Sequence, residues 1–226
     1  MNRTKSAWHY ALLFTICLIV NPAFAAVEST SSVSGSEPAS VDGFRSAKFG
    51  MTESEVKDSI NKDFNISSSS VEISENALEK TTSLAVTVPK LMEEGGVSRV
   101  VYILGYKSKK LIQVNVIWGK PVNPAPDPGD IVSAANLLRN YFARKGFRKD
   151  NLVLNAKLND GSVLVFRGTD SSGRMVVLLL NNPQNQKKDE KTDSSESEEK
   201  TELSLRLSYI QDPNNPDVMK IEEGSF

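Results

Sequence analysis

Apolar residues recur every fourth position at Val56, Ile60 and Phe64, the spacing that sets one face of a helix against a core. The preceding run Gly50-Met51-Thr52-Glu53-Ser54-Glu55-Val56 supplies a start signal. Thr52 followed by Glu55 is a capping box, and Met51 and Val56 stand where a hydrophobic staple closes. Together they predict a helix from Glu53 to about Asp63. A second helical face gathers Ile131, Ala134, Ala135, Leu138, Tyr141 and Phe142. Asp130 is the expected cap, Arg144 or Lys145 the end and Gly146 the C-terminal stop.

Other stretches follow the two-residue period of strands. Val97 to Tyr106 and Leu111 to Trp118 flank Lys107-Ser108-Lys109-Lys110, which reads as a β-hairpin with a four-residue loop. That loop length sets a register. With Tyr106 opposite Leu111, Ile103 faces Val114, Val101 faces Val116 and Arg99 faces Trp118, an almost wholly apolar core face. The opposite face then carries Leu104 with Gln113, Tyr102 with Asn115 and Val100 with Ile117. A strand is also expected at Leu84 to Val88, ahead of a Gly95-Gly96 break.

Past the proline-rich connection Pro121 to Pro128 and the second helix, the chain is β-rich. Leu152, Leu154, Ala156 and Leu158 alternate before Asn159-Asp160-Gly161, and Val163 to Gly168 and Met175 to Leu180 flank Ser171-Ser172-Gly173. Leu203, Leu205, Leu207 and Tyr209 alternate with polar residues, the signature of a strand wet on one side. Residues 181–200 hold no apolar group larger than proline and read as a disordered hairpin insertion. Residues 26–42 are serine-rich and read as a flexible leader. The expected organisation is therefore a signal peptide over 1–25, a leader over 26–42 and one domain over 43–226.

The first 25 residues change what chemistry is expected. Arg3 and Lys5, the apolar run Ala11 to Val20 and the end Ala23-Phe24-Ala25 are the three parts of a secretory signal. Cleavage near Ala25 and a periplasmic or secreted location follow. The apolar run falls short of the ~20 residues of a spanning helix, and no later stretch is long and apolar enough, so no transmembrane segment is expected after cleavage. Cleavage also removes the only cysteine, Cys17, and the only histidine, His9. The mature chain then lacks thiol nucleophiles, imidazole bases and the usual zinc and haem ligands. Lys plus Arg drops from 27 by the two lost cations against 28 acids, a balance unsuited to nucleic acid.

The remaining polar clusters have structural readings. Glu53, Glu55 and Asp58 suit a helix first turn. Asp212, Asn214, Asn215 and Asp217 gather oxygen atoms in a proline-bounded loop without the Gly and Glu positions of a calcium loop. Ser54 to Lys57 is a Ser-x-x-Lys spacing inside the capping turn, and Asn65-Ile66-Ser67 is a sequon. No catalytic residue, metal ligand or cofactor is assigned. Two features point to binding: Tyr102, Leu104 and Tyr106 on the mixed hairpin face, as amphipathic anchors for a partner, and Lys107, Lys109 and Lys110 at the hairpin tip, facing an acidic partner or anionic head groups.

The run Phe49 to Val56, with Ile117-Trp118-Gly119 ending the later hairpin, resembles small exported α+β proteins. They are the small lipoprotein subunit of the outer-membrane β-barrel assembly machinery and the β-lactamase inhibitor protein. The resemblance implies a helix opened by Gly-Met-Thr and packed on an antiparallel sheet. The chain departs from both in having no lipobox and no cysteine pair, so neither activity is carried over. The expected fold is α+β, with helices on one face of an antiparallel sheet, in an order that admits two related helix-plus-hairpin halves. The expected function is non-enzymatic binding of another, envelope-associated protein through an exposed sheet face. The alternative is a small-molecule or lipid carrier with a pocket of at least roughly 300 Å³ between helices and sheet.

Overall fold

The computed structural model describes residues 37–120, 122–182, 203–220 and 224. The expected signal peptide, leader residues 26–36 and insertion residues 183–200 lie outside the described residues. In chain order the elements are β1 (Gly43–Phe44), β2 (Ala47–Lys48), α1 (Glu53–Phe64), β3 (Glu72–Glu75), β4 (Thr82–Val88), β5 (Ser98–Leu104) and β6 (Leu111–Gly119). Then come α2 (Pro128–Ala143), β7 (Val153–Lys157), β8 (Val163–Thr169), β9 (Met175–Asn181) and β10 (Ser204–Ile210).

Strands β3 to β10 form one antiparallel sheet in the order β3-β4-β5-β6-β10-β9-β8-β7. Each half of the chain is a helix followed by a four-strand meander, and the halves join through their last strands, β6 and β10. The fold is α+β with helices packed on an antiparallel sheet, as the pattern predicts. The repeated unit has four strands where a two-strand hairpin is the simpler expectation. Its extra edge strand in the first half, β3, carries Glu72, Ser74 and Glu75 and is exposed throughout, so it lacks the alternation that would mark it.

Local signals act where expected at α1. Thr52 N–H donates to Glu55 Oε2 at 2.7 Å and Glu55 N–H to Thr52 Oγ1 at 3.4 Å, the reciprocal bonds of a capping box. The cap of α2 differs. Asp127, not Asp130, accepts from the N–H groups of Gly129 (2.7 Å) and Asp130 (3.3 Å). Pro128 occupies the first helical turn, where its missing N–H costs nothing.

The hairpin register also differs. Leu104 pairs with Leu111, Tyr102 with Val114, Val100 with Val116 and Ser98 with Trp118, with an irregularity between Ile103 and Leu104. This slip exchanges the two faces of β5: Val100, Tyr102 and Leu104 are buried, while Val101 and Ile103 are half-buried on the other side. In β6, Val114, Val116 and Trp118 face the core as expected. The core lies between that Tyr102 face and the helices. Val56 and Ile60 of α1 and Ile131 and Ala134 of α2 are wholly buried in it with Trp118 and Phe166. Phe142 of α2 stacks on Phe166 at 5.3 Å and meets Tyr209 at 6.3 Å, and Phe44 of β1 approaches Tyr209 at 5.5 Å.

The leader expected through Asp42 ends sooner than its composition predicts. Ala39 and Val41 are buried, Ala39 N–H donates to Gly146 O at 3.0 Å, and Val41 N–H donates to Asp170 Oδ2 at 2.9 Å. Two small apolar groups and a buried carboxylate on the β8–β9 turn repay the ordering of a segment whose own sequence is mostly polar.

Candidate functional site

The strand registers divide the sheet into a helix-covered face and an open one. Three cross-strand rows compose the middle of the open face. One runs Arg99, Ile117, Arg206, Leu179, Leu164; the next runs Val101, Asn115, Ser208, Val177, Arg167; the third runs Ile103, Gln113, Ile210, Met175, Thr169. The aliphatic members are half-buried, and none belongs to the core or packs against it. They shield one another sideways on a pleated surface while their tips face outward. No described helix covers them. Antiparallel sheets with one wet face normally alternate apolar-in with polar-out, so aliphatic side chains on both faces are the unusual feature of this fold.

Charge on the open face is uneven. Arg99 makes a two-pronged contact with Glu72 of β3, its Nη1 standing 3.2 Å from Oε1. The guanidinium hydrogen bonds and then its charge hold the Glu72 carboxyl below its usual range. Arg206 and Arg167 make no hydrogen bond or ion pair among the described residues. Arg206 is exposed, whereas Arg167 is half-buried with its Nε sealed from solvent. The centre of the face carries one internal acidic contact toward β3 and unneutralised guanidinium groups toward β8 and β10.

The residues assigned to binding from the sequence are not brought together on this face. Tyr102 and Leu104 are core residues at 0% and 2% exposure, so they offer nothing to a partner. The reason is the register slip described above. Burial, then the Asp63 charge, raises the Tyr102 hydroxyl above the ordinary tyrosine range against a smaller opposing effect of Arg45. Tyr106 is half-buried, and Lys107, Lys109 and Lys110 are exposed at the hairpin tip.

That tip is held from a distance. Asp217 accepts from Lys107 N–H at 3.0 Å and Ser108 N–H at 2.8 Å, while its carbonyl accepts from Tyr106 N–H at 2.8 Å. Gly105 lies so close to the Asp217 carboxylate that a Cβ would collide with it. Asp212, in the same oxygen-rich loop, accepts from Asn214 N–H (3.1 Å) and Asn215 N–H (2.9 Å). Both carboxylates of this loop serve backbone geometry. No group of three or more metal-ligating side chains converges among the described residues.

Two concave sites flank this arrangement. A cleft of about 330 Å³ lies off the end of the sheet between Lys110, Gln113, Ile210, Asp212 and Asp217. The one between α2 and the sheet, walled by Tyr141, Phe142, Phe147 and Tyr209, holds about 220 Å³, below the size expected of a carrier pocket. Sequence reasoning missed Ile117, Val177, Leu179, Arg167 and Arg206 as surface residues of interest. A signal existed in Met175 to Leu180, six consecutive apolar residues, since an unbroken run marks a strand apolar on both sides.

Among the described residues no helix is long and apolar enough to cross a membrane. No protein-family model matches the chain, and no curated protein or solved structure shows significant similarity to it.

Proposed function

We propose that this chain is an exported, non-enzymatic periplasmic protein that binds another protein through the sheet face opposite its helices. The observation that carries the reading is the uncovered aliphatic surface of β6, β9 and β10, where Ile117, Val177, Leu179 and Ile210 pack against no core residue. Exposed contiguous apolar surface rimmed by polar groups marks an interaction site. Its extent fits a protein partner. Seven gaps of about 4.8 Å across and seven residues of about 3.3 Å along give roughly 800 Å² for the whole sheet face, the area per partner of a standard interface, with the aliphatic rows at its centre.

Export rests on the Arg3, Lys5, Ala11 to Val20 and Ala23-Phe24-Ala25 pattern. The absence of catalysis rests on the placement of Cys17 and His9 inside that same segment, which leaves a mature chain of carboxylates, amines and hydroxyls. Asp170, Asp212 and Asp217 accept from backbone N–H groups, and Glu72 and Asp150 are taken up by Arg99 and Arg148.

The test is site-specific photo-crosslinking in the envelope fraction. A photoreactive residue at Val177 is expected to give one discrete protein adduct, and the same residue at Leu137, exposed on α2, none. An Ile117→Asp change should abolish the Val177 adduct without altering thermal melting. Equal adducts from both positions, or none from Val177, would overturn the reading.

A further inference from the structure

We infer that the partner presents an acidic segment flanked by aliphatic side chains, whose carboxylates are taken by Arg206 and Arg167; this rests on the reading of the open face as a docking surface. Arg206 stands between Ile117 and Leu179 in one cross-strand row. Arg167 adjoins Val177 in the next. The two Cα positions are separated by two strand gaps and two residues, on the order of 12 Å, within joint reach of two carboxylates on one short segment.

Three features select this chemistry. First, neither guanidinium has a counter-ion among the described residues, whereas Arg99 on the same face has Glu72. Second, Arg167 Nε–H is buried without an acceptor. A buried donor left unpaired is costly, and an arriving carboxylate relieves that cost. Third, the cations are arginines embedded among aliphatics. A guanidinium is weakly hydrated and presents a planar fork matched to a carboxylate, a match that a rim of lysines attracting a diffuse anionic surface would not need.

The same features disfavour a second copy of this chain. Stacking the face on itself brings its uncompensated arginines together, and like charges in an interface are repulsive. They also disfavour lipid, because this part of the face offers two separate guanidinium groups set among aliphatics and not the cluster of several cations that anionic head groups recruit.

The experiment pans a random displayed peptide library on the full chain and, in parallel, on the R167E/R206E variant. Wild-type protein should enrich peptides with Asp or Glu beside Leu, Ile or Val. The variant should lose them and enrich Lys or Arg in their place. A synthetic copy of the best acidic peptide should bind the variant at least about tenfold more weakly, the equivalent of one lost charge-assisted hydrogen bond. R167K/R206K should fall between the two, and rising salt should weaken wild-type binding. Peptides that Val177→Asp displaces but that carry no acidic bias and ignore the charge reversal would refute this inference while leaving the docking face intact. Selected peptides indifferent to Val177→Asp would instead remove the docking face itself. Cosedimentation with phosphatidylglycerol vesicles, lost in R167E/R206E and unaccompanied by any peptide selection, would assign the arginines to lipid and overturn the proposal. Arg206 is exposed and Arg167 half-buried, so each charge variant is used only once its melting matches wild type, and R206E alone carries the test if R167E does not fold.

Discussion

Leu104 stands directly opposite Leu111 across the β5–β6 hairpin, whereas the adjacent Ile103 pairs with Gln113. Ile112 is therefore an extra residue, and this bulge decides which side of β5 faces the helices. Gly105 N–H donates to Lys110 O at 2.8 Å to close the loop, so the turn takes up six residues, Gly105 to Lys110. With Ile112 as the extra residue, Val100, Tyr102 and Leu104 of β5 lie on the buried side with Val114, Val116 and Trp118, while Val101 and Ile103 turn to the open face beside Ile117.

The pairing is tested by two neighbouring truncations. Leu104→Ala should cost about 2–5 kcal/mol, as for a leucine removed from a packed core. Ile103→Ala, one residue away on the open face, should cost about 1 kcal/mol or less. Urea unfolding midpoints at constant slope measure both. A larger loss at Ile103 than at Leu104 would restore the register that the loop length alone predicts.

Asp170 fixes the segment around Val41 to the β8–β9 turn. It is 3% exposed and accepts from the N–H groups of Val41, Ser172 and Arg174 at 2.8–3.0 Å. Asp170→Ala leaves those donors without their acceptor, and the buried one, Val41 N–H, costs about 1–3 kcal/mol. The expected outcome is a loss of that order and new protease cleavage between Pro38 and Asp42. Unchanged cleavage in this stretch would show that Val41 is held by apolar packing alone.

These contacts explain which parts of the fold were legible in the sequence. Helix α1 was legible because its cap, staple and apolar spacing lie within fifteen residues and act locally. The strand β10 was legible for the same reason, through alternating leucines. The hairpin register was not, because it depends on Asp217, whose backbone and carboxylate organise Tyr106, Lys107 and Ser108 across about 110 residues. The loop is two residues longer than local spacing suggests, which alone preserves the faces; the extra residue at Ile112 makes the shift odd and exchanges the faces of β5 while those of β6 stay as expected. The cap of α2 failed for a smaller reason. Asp127 and Asp130 both precede the apolar face, and Pro128 favours the first position of a helix, which moves the cap three residues upstream.

Asp217 makes the hairpin tip sensitive to acid. Desolvation pushes its carboxyl up, but hydrogen bonds from Ser108 and Lys107, aided by the Lys107 charge, outweigh it and hold the group below its usual range. A depressed folded value means that its contribution is present above the unfolded value of about 3.9 and is lost as pH falls through the folded value. Hydrogen exchange corrected for intrinsic rates should therefore show the Lys107 and Ser108 amides losing protection on acidification below that range. In Asp217→Asn these amides should be less protected at neutral pH and less responsive to acid. Identical profiles for the two proteins would detach the carboxylate from the loop.

Tyr102 supplies the converse case at high pH. Its hydroxyl is buried without a hydrogen-bond partner among the described residues, and burial followed by the Asp63 charge raises it above the ordinary tyrosine range. Tyr209 is raised as well, by burial and then by Tyr141. Because the folded values exceed the unfolded one, the stability these groups contribute is complete below about pH 10 and is lost as pH climbs from there through the folded values. Tyr102→Phe removes both the unpaired hydroxyl and one of the two alkaline liabilities while keeping the ring that packs on Leu84 and Val114. Deleting an unsatisfied buried group of this kind is neutral or stabilising. The variant should match or exceed wild-type stability at neutral pH, and its unfolding midpoint should fall less steeply above pH ~10. A marked loss at neutral pH would mean that the hydroxyl has an acceptor in the folded protein. An unchanged alkaline slope would shift the liability to Tyr209, which Tyr209→Phe then resolves in the same titration.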